Sequence, residues 1–218
     1  RLGLIKKSLN SAENYKFYLP LIQDLQQSYY DHFSKGRVLF PLQNESGEIL
    51  GLAGGAVNEG VKGPKYLFTK GLKKGSILYR SNFAFENLQK SRDELTSLYI
   101  CEGLFDALRL ESLGYAAVAI LGASLSAEQT KLICSLSLKM KEALHVYLFL
   151  DNDNAGIIAT ENAIKSLLKL SDPGSLELSI LHDVNTSSNV DPDSYLQQVT
   201  SQEQANENLL QIEYPLPA

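Results

Sequence analysis

The chain has 218 residues, of which 44% are hydrophobic and 21% are charged, and its formal net charge is −5. These values are ordinary for a soluble globular protein of one or two domains, and the negative charge argues against a surface that binds nucleic acid as a whole. The only two cysteines, Cys101 and Cys134, exclude a cysteine-based zinc module within this chain. No apolar stretch approaches the roughly 20 residues that cross a membrane, and no signal-peptide pattern is present. We therefore expect a cytoplasmic protein with no membrane partner.

The ends of the sequence suggest a piece of a longer protein. The chain begins at Arg1 instead of Met and ends in Tyr214-Pro-Leu-Pro-Ala. We expect three regions: a smaller amino-terminal α+β subdomain over residues 1–95, an α/β domain over residues 96–200, and the start of a truncated helical segment over residues 201–218.

The amino-terminal region mixes helical and strand patterns. Residues 2–9 and 18–30 are predicted to be helical. Two short apolar runs, 37–42 and 49–53, flank a turn sequence that is typical of a β-hairpin. Pro41 cannot donate a hydrogen bond, so we expect its strand to lie at an edge or beside a bulge. A helix over residues 82–95 is predicted to link the two larger regions.

From residue 97 onward, short apolar strands alternate with helices. This alternation predicts a parallel sheet that is covered by helices on both faces. Ser126 fits the N-cap of the second of these helices, with Gln129 at the capping-box position. The predicted strands cover residues 98–101, 116–120, 146–150 and 176–181, and the predicted helices cover residues 104–113, 126–136, 156–170 and a short stretch from residue 194 onward.

Three pairs of carboxylates stand out, because charge is unusual where apolar strands end. The pairs are Glu102 and Asp106, Asp151 and Asp153, and Asp191 and Asp193. Right-handed crossovers bring the carboxyl ends of parallel strands to one edge of the sheet, where ligands bind in folds of this kind. We therefore expect the three pairs to meet in one acidic pocket.

The spacing of these acids favours a divalent metal ion. Asp151 and Asp153 are close enough in sequence to reach one cation, and Mg²⁺ prefers carboxylates together with water and substrate phosphates. Carboxylates held this close must share a cation or have raised pKa values. Two ions could clamp the attacking and leaving oxygens of a phosphoryl transfer, with Glu102 as general base, general acid or further ligand. Gly103 and Gly156 allow sharp turns into helices whose N-termini favour phosphate.

Each pair also has a structural interpretation. An Asp-x-Asp sequence occurs in phosphatases, glycosyltransferases and ordinary loops, and Asp106 could be a surface acid of its helix. Asp191 followed by Pro192 is typical of a turn that caps a helix, with the proline at the first helical position. Only the joint order of the three pairs favours a catalytic site.

A separate stretch, residues 61–85, is basic and contains no acidic residue. Its basic residues are Lys62, Lys65, Lys70, Lys73, Lys74 and Arg80, and they are interleaved with Tyr66, Phe68 and Tyr79. Positive charge together with aromatic rings suits single-stranded nucleic acid, although a solvated loop would have the same composition. Arg37 could join this surface or pair with a nearby acid.

The order of these motifs resembles the Toprim domain, and more closely the catalytic core of bacterial DnaG-type primases. The matching segments are Tyr99-Ile-Cys-Glu-Gly-Leu-Phe-Asp, Ala119-Ile-Leu-Gly-Ala-Ser, Phe149-Leu-Asp-Asn-Asp-Asn-Ala-Gly and Asp191-Pro-Asp-Ser-Tyr. The family order continues in the first region with Arg37-Val-Leu-Phe-Pro-Leu, Gly47-Glu-Ile-Leu-Gly-Leu-Ala-Gly-Gly, Pro64-Lys-Tyr-Leu and Lys74-Gly-Ser-Ile-Leu-Tyr. The likeness therefore spans about residues 30–200.

The resemblance implies a Toprim-type parallel sheet and a DNA-directed RNA polymerase that makes short RNA primers. It implies a single-stranded DNA template, ribonucleoside triphosphates, and a replicative helicase that docks through a region absent from this chain. It also implies that the catalytic residues are Glu102, Asp106, Asp151 and Asp153. The implied ligands of Mg²⁺ or Mn²⁺ are Glu102, Asp151, Asp153, Asp191 and Asp193. The positions linked to nucleotide and template binding are Lys65, Tyr66 and Lys74, with Arg37 beside them.

Two positions depart from the family pattern. Ala56 stands where an arginine usually follows Gly-Gly, and Phe68 stands where an asparagine follows Pro-Lys-Tyr-Leu. Two other interpretations therefore stay open. The chain could be a fragment of another Toprim enzyme, a nuclease or topoisomerase, or it could be a decayed primase core that only binds single-stranded DNA.

Overall fold

The computed structural model describes residues 3–4, 37–56, 61, 63–90, 96–183 and 191–216. The chain divides into two compact units, one from residues 1–43 and 47–72 and the other from residues 44–46 and 73–218. The region boundaries expected at residues 95 and 200 stay predictions. None of the helices in the described part is long and apolar enough to span a membrane.

The first unit is built on an antiparallel sheet. Its strands are β1 (Gly3–Leu4), β2 (Arg37–Gln43), β3 (Ile49–Ala56) and β4 (Tyr66–Phe68), in the order β1-β2-β3-β4. β2 and β3 form the predicted hairpin, and Gly47 in the connection has a φ of 82°, a conformation that favours glycine. The register shifts between Leu42 and Gln43, close to Pro41, as the proline predicts.

Two features of this unit differ from the sequence-based expectation. The helix predicted over residues 2–9 is wrong at Gly3 and Leu4, which pair with β2. The other residues of that helix, and the helix predicted over residues 18–30, lie outside the described residues. β4 is not predicted, because its three residues become extended through pairing with β3 rather than through their own spacing.

The second unit is a five-stranded sheet with helices around it, which confirms the predicted α/β class. Its strands are β5 (Ser97–Cys101), β6 (Ala116–Ala119), β7 (Leu144–Leu148), β8 (Leu176–Leu181) and β9 (Glu213–Pro215), in the order β6-β5-β7-β8-β9. The first four strands are parallel, and β9 pairs antiparallel with β8 at the edge. β9 is not predicted, since it forms within the stretch that was expected to begin a helical segment.

The described helices begin and end within a few residues of the predicted ones, and residues 91–95 of the helix predicted over residues 82–95 lie outside the described residues. They are α1 (Ser81–Lys90), α2 (Leu104–Ser112), α3 (Ala127–Ser137), α4 (Asn154–Leu170), α5 (Pro192–Tyr195) and α6 (Gln202–Leu210), with a short 3-10 helix at Lys74–Ser76. The capping box of α3 is confirmed. The backbone N–H of Gln129 donates to Oγ of Ser126 at 3.1 Å, and the backbone N–H of Ser126 donates to Oε1 of Gln129 at 2.9 Å.

The two faces of this sheet carry different side chains. On one face Leu98 and Ile100 of β5 are fully buried and share a core with apolar residues of α1, α3 and α4. On the other face Tyr99 stacks on Tyr147 with ring centroids 4.7 Å apart, and Tyr147 stacks on His145 at 4.2 Å. Successive residues of a strand point to opposite faces, so one alternating sequence supplies both the apolar core and an aromatic ladder.

Backbone hydrogen bonds continue past the ends of the strands and hold the following loops at one edge. The N–H of Phe149 donates to the carbonyl of Ile100 at 2.9 Å, and the N–H of Leu121 donates to the carbonyl of Glu102 at 3.2 Å. Leu121 has a φ of 60°, which is uncommon for a residue other than glycine. The carboxyl edge of the sheet is therefore an ordered platform, and Glu102 lies within it.

Candidate active site

The structure brings the first two acidic pairs together at this edge. Glu102 follows β5 directly, and Asp151 and Asp153 lie just beyond β7, the neighbouring parallel strand. Burial, together with the negative charges of Asp151, Asp153 and Asp106, raises the pKa of Glu102 to about 7. A backbone N–H of Asp151 donates to the Glu102 carboxylate and partly offsets this rise. The two loops therefore meet as the order of the motifs predicts.

Asp106 is a buried tether as well as a site acid. The residue is only 5% exposed. Oδ2 accepts the backbone N–H of Gly103 at 2.9 Å, which caps α2, and Oδ1 accepts the backbone N–H of Asp193 at 3.1 Å. The pKa of Asp106 is raised to about 6, mainly by burial and also by the charges of Asp191 and Asp151, although the two N–H groups act in the opposite direction. The interpretation of Asp106 as a plain surface acid of its helix is therefore wrong.

Gly103 is required by this tether rather than by backbone conformation. Its φ is −98°, which any residue adopts. A Cβ atom at this position would lie 2.5 Å from Oδ2 of Asp106, too close for any real contact. The glycine lets the Asp106 carboxylate approach the start of α2, next to Glu102.

Asp153 caps α4 and places its first turn against Asp151. Oδ1 of Asp153 accepts the backbone N–H of Gly156 at 2.7 Å. A Cβ on Gly156 would lie 1.9 Å from the carbonyl oxygen of Asp151. The Asp-x-Asp-x-x-Gly spacing therefore combines a helix cap with a backbone contact that accepts no side chain, and both act on the loop that carries the two aspartates.

The third pair does not follow a strand directly. Asp191 lies ten positions after the end of β8, and it caps α5 by accepting the backbone N–H of Ser194 at 2.7 Å. Pro192 occupies the first helical position, so the structural interpretation of this motif is confirmed. The pair still reaches the site, because the charge of Asp191 acts on Asp106 and the N–H of Asp193 binds it.

The acidic pocket has the donor chemistry of a Mg²⁺ or Mn²⁺ site. All its side-chain donors are carboxylate oxygens, and their mutual repulsion is what a bound cation would relieve. Among the described residues, however, no three His, Cys, Asp or Glu side chains are arranged so that they could hold one ion together. Magnesium is often bound by only one or two carboxylates together with water and substrate phosphates, and these residues fit an ion held in that way.

In the first unit, Arg37 has an internal role. It is 1% exposed, and its guanidinium donates to the carbonyls of Gly54 at 3.0 Å, Pro64 at 2.9 Å and Lys65 at 3.2 Å. The side chain thereby connects β3 to the loop before β4. Its contact with nucleic acid stays a prediction, and this burial does not favour it.

The other predicted nucleic-acid contacts are more accessible. Lys65 is exposed, and its Nζ lies 5.6 Å from the centroid of the Tyr66 ring, which packs 6.5 Å from the ring of Phe68. In the second unit, Lys74 is exposed and begins the short 3-10 helix. These side chains can meet a phosphate and a base without rearrangement of buried groups.

Sequence reasoning missed the ion pair of Arg109 and the buried contacts of Gln129. Arg109 of α2 forms an ion pair with Asp193, with Nε 3.3 Å from Oδ1. The Gln129 side chain is fully buried and donates to the carbonyls of Ile77 and Ile120 at 2.7 and 2.8 Å. Gln129 was predicted only as a capping residue, and the position of Arg109 one turn after Asp106 was the available signal for a shared helix face.

Comparison with known proteins shows what the chain is similar to. Residues 96–177 match the Toprim domain. The DNA primase of Thermotoga maritima is 39% identical over 138 residues, which are 62% of this chain and 22% of that protein. The chain is a relative of the bacterial DnaG-type primases and carries their Toprim domain. The chain therefore spans less than a quarter of the length of that primase.

Solved primase structures share the fold of this primase-type core. The zinc-binding and RNA polymerase domains of the Aquifex aeolicus primase superpose with a TM-score of 0.66 at 25% identity, covering 99% of this chain and 51% of that one. A DnaG primase catalytic domain bound to single-stranded DNA gives a TM-score of 0.63 at 26% identity, covering 83% of this chain and 52% of that one. The likeness includes both described units.

Proposed function

We propose that this core catalyses metal-dependent synthesis of short RNA primers on single-stranded DNA during replication. The observation that carries the proposal is the Glu102 carboxyl, held against the backbone of Asp151 at the carboxyl edge of a Toprim domain. Adjacent carboxylates with raised pKa values form a site that favours a cation. Similarity to bacterial DNA primases supports this reaction class.

The roles of the individual acids follow from their partners. Asp151 and Asp153 lie on a loop that is anchored by the α4 cap, so they are the main candidate ligands, together with Asp191. A divalent ion bound there would stabilise the charge that develops as a hydroxyl displaces pyrophosphate. Glu102, with a pKa raised to about 7, can accept a proton near neutral pH or serve as a further ligand. Asp106 orients the start of α2 and the third pair.

The residues that contact the template and the substrates are proposed from side-chain chemistry and from similarity to related proteins. We propose that Lys65, Tyr66 and Lys74 contact single-stranded DNA and ribonucleoside triphosphates, because exposed ammonium groups and an aromatic ring suit phosphates and bases. A related catalytic domain binds single-stranded DNA, which supports the template assignment. We also propose a replicative helicase as a partner, in the cytoplasm.

The test is primer synthesis by the intact protein with Mg²⁺ or Mn²⁺, before and after Glu102→Gln. The amide has nearly the same shape but cannot ionise, so we expect synthesis to fall at least about 100-fold, as for loss of a general base. The free energy of unfolding should not fall, because a partly buried charge is removed. Normal synthesis by a folded Glu102→Gln protein would contradict the assignment. Binding of single-stranded DNA without any synthesis by the unaltered protein would favour a decayed binding module instead.

A further inference from the structure

Helix α5 is held by two side chains that lie one turn apart on α2. Asp106 accepts the backbone N–H of Asp193 at 3.1 Å. Arg109 donates from Nε to Oδ1 of Asp193 at 3.3 Å and from Nη2 to the carbonyl of Gln197 at 3.2 Å. The arginine therefore contacts the first turn of α5 and the residue just beyond its last turn.

This contact joins two residues that are far apart in sequence, on helices that begin beside the acidic residues. Arg109 and Asp193 are 84 residues apart, and their side chains are 27% and 46% exposed. α2 begins directly after Glu102 and Gly103, so it has a fixed relation to the catalytic edge. The arginine transmits that position to α5, whose N-cap is Asp191.

We propose that Arg109 is a positioning residue that docks α5 on α2, so that Asp191 serves the metal site while Asp193 serves as the anchor. The Asp193 carboxylate already shares Oδ1 with a guanidinium, and its backbone N–H is bound to Asp106. Oδ1 of Asp191 caps its own short helix. The inference rests on the proposed function in one respect, namely that the third pair takes part in binding the ion.

Removal of Arg109 would change the metal affinity in opposite directions under a simple charge effect and under the positioning effect. Arg109 is a cation close to a cation site, so its removal would strengthen metal binding if long-range repulsion dominated. If Arg109 holds α5 in place, its removal weakens metal binding because Asp191 is no longer fixed. Residues that orient a ligand typically change metal affinity by about 10- to 100-fold when they are removed.

The experiment measures Mn²⁺ binding to the intact protein by electron paramagnetic resonance, with no nucleotide present. We expect Arg109→Ala to weaken Mn²⁺ binding by about 10-fold. Arg109→Lys should keep part of the affinity, since an ammonium group can still reach Asp193 but cannot also bind the Gln197 carbonyl in a fork. Lys131→Ala removes a positive charge from the exposed face of α3 and should leave Mn²⁺ affinity unchanged.

A matched pair separates the two aspartates. Asp191→Asn and Asp193→Asn each remove one negative charge, and we expect the first to weaken Mn²⁺ binding more. In an Asp193→Asn background, Arg109→Ala should have a much smaller effect than in the unaltered protein, because coupled residues are not additive. Unchanged or tighter Mn²⁺ binding by folded Arg109→Ala would overturn the inference, as would a larger loss with Asp193→Asn.

Mn²⁺ binding and primer synthesis are measured separately, so failure of this inference can be told apart from failure of the proposed function. If the unaltered protein binds Mn²⁺ but makes no primer, the proposed polymerase activity fails while the binding comparison still tests Arg109. A merely structural role would lower the melting temperature of Arg109→Ala and leave its Mn²⁺ affinity unchanged, which would overturn the inference. Should Arg109→Ala fail to fold, Arg109→Lys and the two aspartate variants carry the same comparison.

Discussion

Gly156 offers a sharp test of how the Asp151 loop is built. The glycine lies in the first turn of α4, and a Cβ atom there would be 1.9 Å from the Asp151 carbonyl oxygen and 2.9 Å from its carbonyl carbon. Ordinary van der Waals contacts begin at 3.4 Å. Since both atoms belong to the backbone, Gly156→Ala requires the loop and the helix to separate by roughly 1.5 Å in a packed region.

Two opposing effects determine the size of the change. Alanine in place of glycine normally stabilises a helix by up to about 1 kcal/mol. Forcing a methyl group into a filled space costs typically about 1–3 kcal/mol, and more where backbone must move. We expect a net loss of about 1–2 kcal/mol in the free energy of unfolding, because a side-chain rotation cannot relieve this contact.

The assay is urea unfolding of the intact protein together with primer synthesis. Gly156→Ala should lower the urea midpoint and reduce synthesis at least about tenfold, since a 1 Å misplacement of a catalytic group is costly. Gly122→Ala is the stability control, because a Cβ at that glycine meets nothing within 4 Å. A Gly156→Ala protein that is as stable as the unaltered one, or more stable, would refute the packing argument.

Three further predictions concern the supports of the fold and site. The pKa of Asp106 is raised to about 6, so its contribution to stability is complete only below its unfolded pKa of 3.8 and is lost as the pH rises through about 6. Relative to Asp106→Asn, the free energy of unfolding of the unaltered protein should fall by about 2 kcal/mol from pH 4 to pH 6 and by about 3 kcal/mol over the whole transition, measured by urea unfolding at each pH. Arg37→Ala should lower the free energy of unfolding by about 3 kcal/mol. Arg37→Lys should recover only part of this loss, because an ammonium group cannot donate to three carbonyls as the planar guanidinium does. Thermal unfolding of the two variants measures both changes. Ser126→Ala should cost about 1 kcal/mol through loss of the α3 cap, measured by urea unfolding, and no change would show that Gln129 alone holds this helix.

Much of the second unit follows from local patterns. The strands from β5 to β8 and the helices from α2 to α4 have bounds close to those predicted, because apolar spacing and capping residues act over a few positions. The pairing of Ser126 with Gln129 was readable for the same reason. Elements that depend on distant partners were not predicted: β4 forms by pairing with β3, and β9 by pairing with β8.

The candidate site divides in the same way. The order of Glu102, Asp151 and Asp153 along a parallel α/β pattern was enough to expect them at one edge. The second function of Asp106, as acceptor for a backbone N–H 87 residues away, had no local signal. The burial of Arg37 had no local signal either. Its charge suggested a surface contact, but its partners are three carbonyl groups.

What the sequence alone determined is which carboxylates follow which strands, since the alternation of strand and helix brings those strand ends to a common edge. Only the tertiary structure decided which of these acids are buried and therefore have raised pKa values, and which one is paired with Arg109. The physical reason is the sequence separation over which each effect acts. Capping and periodicity operate within one or two turns. Desolvation and ion pairing depend on residues that the folded chain brings together from positions more than 80 residues apart.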